Sequence, residues 1–88
     1  LMGLMPLQRA GVLAGSVQVV GATGSTGSGV TASAGTHHPE RFANLKAYKV
    51  LSHQHVPEVR QALGSVGPAP ALHFVPQSAP LDRGIFAT

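Results

Sequence analysis

The sequence predicts an α+β fold in which a mixed or antiparallel sheet of short strands is packed by few helices. Short β-branched or alternating apolar segments recur along the chain, a pattern typical of strands. Apolar residues at helical spacing form only one clear segment. The 88 residues include 11 glycines and 7 prolines, which indicates many loops. A chain of this length suffices for one small domain, so residues 1–88 are assigned to a single domain.

The first half of the chain is predicted to hold one strand and a long glycine-rich loop. Pro6 divides the apolar residues of Leu1–Leu13, so two short turns are expected there rather than one helix. Three closely spaced valines predict a strand near 17–21, which Gly21 closes. From Gly21 to Gly35 nearly every residue is Gly, Ser, Thr or Ala, and we expect a loop.

The second half supplies the remaining strands and the helix. Aromatic and β-branched residues are concentrated in three segments, so strands are expected near 47–51, 71–76 and 83–88. A helix is expected at 57–63, because Pro57 suits the first helical position and Glu58 favours the positive N-terminal end. Gly64 supplies the C-cap of this helix.

Charge and cysteine content exclude several classes of protein. Charged residues make up 10% of the chain and the six basic residues are scattered, so we expect no nucleic-acid partner. The chain has no cysteine, which excludes a disulfide framework and thiolate metal sites. The apolar N-terminal run is too short to span a bilayer, and we expect no membrane partner. So few charges are typical of a domain that packs on another surface, which predicts an oligomer.

The stretch Val17–Gly27, VQVVGATGSTG, imitates the glycine fingerprint of dinucleotide-binding folds. That fingerprint needs a helix that begins at the glycines, because the pyrophosphate binds at the helix N-terminus. The residues after Gly27 have no apolar stripe at helical spacing, and no second strand ending in an acid follows at the required distance. We therefore expect no self-contained dinucleotide site, although the loop can touch a ligand that another domain holds.

His53 and His55 are the side chains best suited to chemistry. Because Val56 precedes a proline, the segment from His53 to Val56 is expected to be extended, with both imidazoles on one side beside the helix N-terminus. Three interpretations stay open. The pair can be ordinary polar residues at a helix entry, it can bind Zn²⁺ together with His37 and His38, or it can perform acid–base catalysis, to which the imidazole pKa is suited.

Three blocks in order resemble N-acetyl-γ-glutamyl-phosphate reductases. They are the glycine loop Thr23–Gly29, Y-K-V-x-S-H-x-H-x-P-E-V at Tyr48–Val59, and F-x-P-x-x-x-P-x-x-R-G-I-x-x-T at Phe74–Thr88. The N-terminal LMPLQRAGVL is similar to the helix that follows the family's catalytic cysteine. Each block alone is weakly specific, whereas three in family order are specific. The related aminoadipyl-phosphate reductases of lysine synthesis are similar as well.

The resemblance implies a fragment of a C-terminal catalytic and dimerisation domain like that of glyceraldehyde-3-phosphate dehydrogenase, without the N-terminal NADP-binding Rossmann domain. It implies a cytoplasmic, NADP-dependent oxidoreductase of arginine biosynthesis that reduces N-acetyl-γ-glutamyl phosphate to the semialdehyde through a cysteine thioester. Because this chain has no cysteine, we expect it to be inactive by itself. The resemblance also implies that it assembles as a homodimer or homotetramer. The alternatives are the lysine-pathway reductase and a stand-alone assembly or metal-binding module.

The same resemblance implies roles for individual residues. His53 and His55 match the family's catalytic H-x-H pair, with no division of labour between them. Glu58 and Arg83 are implied to bind the acyl phosphate substrate, and Glu58 can instead orient an imidazole. The nicotinamide end of NADP is implied to approach the glycine loop, where only bare backbone fits closely, at Gly24, Thr26, Gly27 and Gly29. No metal ligand is assigned.

Overall fold

A four-stranded mixed sheet forms the frame of the domain, and the computed structural model describes all 88 residues. In chain order the elements are α1 (Leu4–Arg9), β1 (Ser16–Thr23), α2 (His38–Arg41), β2 (Lys46–Ala47), α3 (His55–Gly64), β3 (Ala71–Ser78) and β4 (Ile85–Ala87). Short 3-10 turns lie at Ser25–Ser28 and Ala34–Thr36. The strand order is β2-β3-β1-β4. The predicted α+β fold, with a mixed sheet and few helices, is confirmed.

The two central strands, β1 and β3, are longer than the sequence predicts. They are parallel and pair along their full length, from Ser16 opposite Ala71 to Thr23 opposite Ser78. β2 and β4 pair antiparallel with them at the two edges. Side chains alternate between the two faces of a strand, so Gly21 and Phe74 share one face of the sheet. That face is the more buried one over most of β1 and β3.

The strand predicted at 47–51 is reduced to Lys46–Ala47. The N–H of Tyr48 still donates to the carbonyl of Pro76 at 3.0 Å. The N–H and C=O of one residue point to the same side of a strand. Pro76 has no N–H to return this bond, so the antiparallel ladder ends at Ala47. The sequence prediction missed this because the proline belongs to the partner strand.

Beyond Tyr48 the chain turns away from strand geometry but stays at the edge of β3. Lys49 and Leu51 have φ angles of 43° and 57°, in the left-handed region. The N–H of Leu51 donates to the carbonyl of Phe74, and the N–H of Ser52 donates to the carbonyl of Lys49, both at 3.0 Å. This tight turn delivers the following residue, His53, to the aromatic ring of Phe74.

Two helices begin differently from the sequence-based expectation. Pro6 lies inside α1, so the two separate turns expected at 1–13 are wrong. α3 begins at His55 rather than at 57, and the extended conformation expected for His53 to Val56 is also wrong. Each proline occupies the third position of its helix. The first four N–H groups of a helix have no partner within it, so a proline there removes no helical hydrogen bond.

The core of the domain is small. Leu63 on α3 and Pro76 on β3 are fully buried. Gln8 on α1 is also buried, and its Nε2 donates to the carbonyl of Pro68 at 2.8 Å, which ties α1 to the loop after α3. Many large apolar side chains remain exposed. None of the helices has both the length and the apolar character needed to cross a membrane.

Candidate functional site

His53 and His55 meet at the start of α3. Their ring centroids are 4.7 Å apart, with the ring planes at 71°. The backbone N–H of His55 donates to Nδ1 of His53 at 3.2 Å. The N–H of Val56 donates to the carbonyl of His53 at 3.0 Å. The first turn of a helix, and not the alternation of a strand, therefore brings the two imidazoles together.

Two aromatic rings support the imidazole of His53. The ring of Phe74 lies at a centroid distance of 5.4 Å and 88°, and that of Tyr48 at 5.8 Å and 67°. Edge-to-face arrangements of this kind are favourable. Gly21 on β1 leaves room for the Phe74 ring, since a Cβ at Gly21 would lie 3.1 Å from Cε2 of Phe74. The sequence predicts Phe74 as a strand residue, but carries no signal for its contact with His53.

The surroundings of His53 favour its neutral form. Partial burial lowers the pKa of His53 below its ordinary value of 6.5, and the positive charges of His55 and Lys49 lower it further. The Glu58 carboxylate acts in the opposite direction. At neutral pH this imidazole is therefore uncharged, with one nitrogen as donor and the other as acceptor.

Glu58 lies on the same face of α3 as His55, three residues further along the helix. Its Oε2 is 4.0 Å from Nε2 of His55, and the two side chains are 71% and 59% exposed. An exposed pair at this distance contributes little to stability. The contact can orient the His55 imidazole, while leaving it open to solvent and to a reactant.

The start of the glycine loop is fastened to the segment that precedes β4. Three successive backbone N–H groups donate to carbonyls of that segment: Gly24 to Gly84 (2.9 Å), Ser25 to Leu81 (3.0 Å) and Thr26 to Asp82 (3.1 Å). In a phosphate-binding loop such N–H groups point at the ligand. Here these three are taken by the chain's own carbonyls. This loop therefore resembles a dinucleotide fingerprint in its amino-acid composition, but not in the availability of these N–H groups.

Close packing of two backbones explains the glycine at position 24. A Cβ on Gly24 would lie 2.7 Å from the backbone nitrogen of Arg83. Gly27 and Gly29 are different. A Cβ on Gly27 would meet only Oγ1 of Thr23, at 3.6 Å, and Gly29 has a φ of 77° with nothing within 4 Å. Gly29 thus leaves open space beside its backbone, whereas Gly27 would make one ordinary van der Waals contact.

The predicted site residues form two groups on the sheet. The first consists of His53, His55 and Glu58 beside Phe74, and the second of the glycine loop and Arg83 at the C-terminal end of β1. Phe74 is four residues from the end of β3. At about 3.3 Å per residue, the two groups are separated by roughly 13 Å along the strand direction.

A cleft of about 490 Å³ opens beside the glycine loop. Its lining includes Ser25, His38, Arg41 and Asp82, but neither histidine of the pair. The Nη2 of Arg41 donates to the carbonyl of Thr23 at 3.2 Å, and its Nε is buried without a partner. The sequence carries no signal for Arg41, because an isolated basic residue in a turn forms no recognisable pattern.

The four-histidine arrangement considered from the sequence does not form. His37 and His38 lie at the start of α2, where His38 stacks on Phe42 at a centroid distance of 4.8 Å. No group of three or more His, Asp or Glu side chains is arranged to hold a metal ion.

Comparison with known proteins gives consistent matches over the whole chain. The family model described as semialdehyde dehydrogenase, dimerisation domain, matches residues 1–88. The chain is similar to proteins named N-acetyl-gamma-glutamyl-phosphate reductase. That of Bacteroides thetaiotaomicron is 42% identical over 99% of this chain and 28% of the relative. That of Shouchella clausii is 42% identical over 100% of this chain and 26% of the relative. That of Methanopyrus kandleri is 46% identical over 75% of this chain and 19% of the relative. The chain thus spans about a quarter of the length of the first two relatives.

Proposed function

Because the chain belongs to the semialdehyde dehydrogenase dimerisation-domain family, we propose that it is the catalytic and dimerisation segment of an NADP-dependent reductase of N-acetyl-γ-glutamyl phosphate. The observation that carries the proposal is the convergence of His53 and His55, 4.7 Å apart, at the start of α3, in a chain similar along its length to reductases of that name. The proposed protein acts in arginine biosynthesis in the cytoplasm.

The proposed reaction converts an acyl phosphate, one hydride and one proton into an aldehyde and inorganic phosphate. NADPH, when bound, supplies the hydride. The nucleophile is a cysteine outside these 88 residues, which contain none; its thiolate displaces phosphate and forms a thioester with the acyl group. Addition of the hydride to the thioester carbon and cleavage of the C–S bond then release the aldehyde and the thiolate. The imidazole pair accepts the thiol proton or protonates the departing oxygen. The 88-residue chain without that cysteine is expected to be inactive.

The glycine loop offers a limited surface to the cofactor. Gly29 has open space beside its backbone, and a Cβ on Gly27 would make only one ordinary van der Waals contact, so this part of the loop suits the approach of a flat ring. The N–H groups of Gly24 and Thr26 are already bound to carbonyls of the chain, so these two residues shape the loop rather than hold a phosphate. Arg83, whose backbone packs on Gly24, stands at this end of the sheet as the proposed substrate-binding residue. Most of the cofactor contacts are assigned to a domain outside this chain.

The closest alternative reaction uses a carrier-linked aminoadipyl phosphate in the same chemistry. The names of the relatives favour the N-acetylglutamyl substrate. A stand-alone metal-binding module receives no support, since no three ligand side chains converge.

The test is an assay of NADPH oxidation by the full-length protein with each of the two acyl phosphates. We expect turnover with N-acetyl-γ-glutamyl phosphate. His53→Ala or His55→Ala should lower kcat by about 10²–10⁴-fold, the usual effect of losing an acid–base group or its placement. Glu58→Gln should have a smaller effect. His37→Ala, which alters an exposed histidine whose side chain makes no capping hydrogen bond, is the matched control and should leave kcat unchanged.

Exclusive turnover of the aminoadipyl substrate would move the assignment to the lysine-pathway reductase. Normal kcat in both His53→Ala and His55→Ala would refute the histidine pair as the site of proton transfer.

A further inference from the structure

We propose that Lys49 binds the phosphoryl group of the acyl phosphate beside the histidine pair and neutralises the phosphate as it departs. This inference rests on the proposed function and adds a substrate-binding residue to it. Its geometric basis is the hydrogen bond from Nζ of Lys49 to Oε1 of Gln54, at 3.4 Å. Gln54 stands between His53 and His55 in the chain and is the N-cap residue of α3. The bond therefore holds the ammonium group at the start of that helix.

A tight turn fixes the point from which the Lys49 side chain leaves the backbone. Lys49 has a φ of 43°, in the left-handed region that residues other than glycine rarely adopt. The N–H of Ser52 donates to the carbonyl of Lys49, and the N–H of Leu51 donates to the carbonyl of Phe74, both at 3.0 Å. These bonds close the turn and fasten it to β3. Residues in such sparsely populated backbone conformations are concentrated at functional sites.

The positive charge of Lys49 has no carboxylate partner in the chain. No Asp or Glu oxygen lies within 4.0 Å of its Nζ, whereas Lys46 pairs with Glu40 at 3.5 Å. Gln54 is a neutral acceptor, and a lysine ammonium has three N–H donors, so two donors remain free beside that bond. The exposed Lys49 side chain thus offers an uncompensated charge and free donors to an anion.

The charges around the histidines require a cation if a phosphate is to bind there. Burial lowers the pKa of His53 most, and the positive charges of His55 and Lys49 lower it further, so the Lys49 ammonium acts at the pair. The opposing charge is the Glu58 carboxylate, 4.0 Å from Nε2 of His55. That carboxylate repels a phosphoryl group, and Lys49 is the lysine placed to offset the repulsion.

The proposed reaction brings the phosphate to this place. When the thiolate adds to the carbonyl carbon, the bond from that carbon to the bridging oxygen breaks and its electron pair leaves on the phosphate. The proton that the imidazole pair accepts from the thiol passes to the phosphate, so thiol and acyl phosphate become thioester and hydrogen phosphate. The departing oxygen therefore lies at hydrogen-bond distance from an imidazole. Arg83 belongs to the other group of site residues, roughly 13 Å away along the strand direction, so Lys49 is the nearer cation.

The reverse reaction tests the assignment, because inorganic phosphate is then a separate substrate. The assay follows oxidation of the semialdehyde by the full-length protein with NADP⁺ and phosphate. Lys49→Met should raise the KM for phosphate about 10-fold or more, the usual effect of losing a hydrogen bond to a charged group, and leave the KM for the semialdehyde unchanged. Lys49→Arg keeps the positive charge and should recover most of the loss.

Lys46→Met is the matched control, because it removes the only other lysine by the same substitution. Lys46 lies on β2 and pairs with an exposed carboxylate, so both KM values should stay at their wild-type level. Both lysines are exposed, and each Met variant should keep a Tm within about 2 °C of the wild type. A wild-type KM for phosphate in Lys49→Met, or an equal rise in its KM for the semialdehyde, would overturn the proposal.

Binding of inorganic phosphate alone separates this inference from the proposed function. Titration of the full-length protein with phosphate should shift the NMR signals of the His53 and His55 rings in the wild type and in Lys46→Met. The dissociation constant should rise about 10-fold in Lys49→Met. If the wild type reduces neither acyl phosphate, the proposed function is wrong, yet this titration still decides whether Lys49 forms an anion site. Equal dissociation constants in the wild type and Lys49→Met, or no shift in the wild type, would refute the site.

Discussion

At the scale of single residues, the protonation of His53 is linked to folding. Its pKa in the folded chain is below 6.5, with partial burial as the first cause. Between that lowered pKa and about 6.5, an unfolded chain binds a proton at this histidine and the folded chain does not. The contribution of His53 to stability is therefore complete above about pH 6.5 and is lost as the pH falls through the lowered pKa. Protonation of Nδ1 also removes the acceptor for the His55 N–H.

We predict that acidification from about pH 7.5 to about pH 5 lowers the midpoint of urea unfolding, and that His53→Asn reduces this dependence. Asn does not titrate and can still accept the His55 N–H. His37→Asn, at an exposed position whose side chain makes no capping hydrogen bond, should retain the wild-type dependence. An equal pH dependence of the urea midpoint in wild type and His53→Asn would contradict the link between His53 protonation and folding.

At the scale of elements, the glycine loop and the segment before β4 form one interlocked unit. The three N–H bonds from residues 24–26 hold the loop to residues 81–84, and Gly24 lets the two backbones approach. Gly24 has φ −73° and ψ 167°, which any residue can adopt. The requirement for glycine is therefore steric, since an added Cβ would overlap the backbone of Arg83.

We predict that Gly24→Ala lowers the free energy of unfolding by about 1–3 kcal/mol, the usual cost of forcing an extra methyl into a packed site. Gly35→Ala is the matched control, because a Cβ there meets nothing within 4 Å. Chemical denaturation measures the free energy of unfolding of both variants. Hydrogen exchange of the Ser25 and Thr26 amides reports whether the loop and the segment before β4 separate. Equal stability of the two variants would contradict the close approach.

At the scale of the whole molecule, the chain exposes more surface than a compact monomer of its size. Its accessible surface is 6131 Å², against roughly 4,900 Å² for a monomer of 9.0 kDa. Its radius of gyration is 14.7 Å, against roughly 12 Å for 88 residues. The excess is comparable to the area that one partner buries in a standard interface, about 800 Å² or more. These values agree with membership of a dimerisation-domain family.

The sheet face opposite Phe74, which carries exposed apolar side chains, is the surface that we expect to form the dimer. Val20 and Phe86 lie on it and are 37% and 68% exposed. We predict that the wild-type chain is a dimer or larger by light scattering, and that Phe86→Asp weakens the association by leaving a charge in the apolar interface. Val12→Asp, at an exposed position in the loop after α1, should leave the association unchanged. A monodisperse wild-type monomer at high micromolar concentration would contradict the prediction.

The sequence by itself determined the order of the strands along the chain, the presence of α3 and the candidate side chains. These features are local: valine-rich and alternating segments favour strands wherever they lie, and Pro57 and Glu58 favour the first turn of a helix without help from distant residues. The C-cap predicted at Gly64 is wrong, because Gly64 is the last helical residue and Ser65 is the C-cap. Resemblance in three ordered blocks identified the family that the comparisons support. The sequence could not limit β2 to Lys46–Ala47, because the cause, the missing N–H of Pro76, lies on another strand.

Only the tertiary structure decided how the candidate residues are arranged. His53 and His55 converge through a helical turn and the ring of Phe74, rather than by alternation along an extended segment. Gly24 belongs to the glycine pattern that suggests a nucleotide site, but in the structure it allows the backbone of Arg83 to approach closely. The physical reason is the same in both cases. A hydrogen-bond partner or a close approach depends on residues far away in the chain, and the local sequence pattern does not reveal those residues.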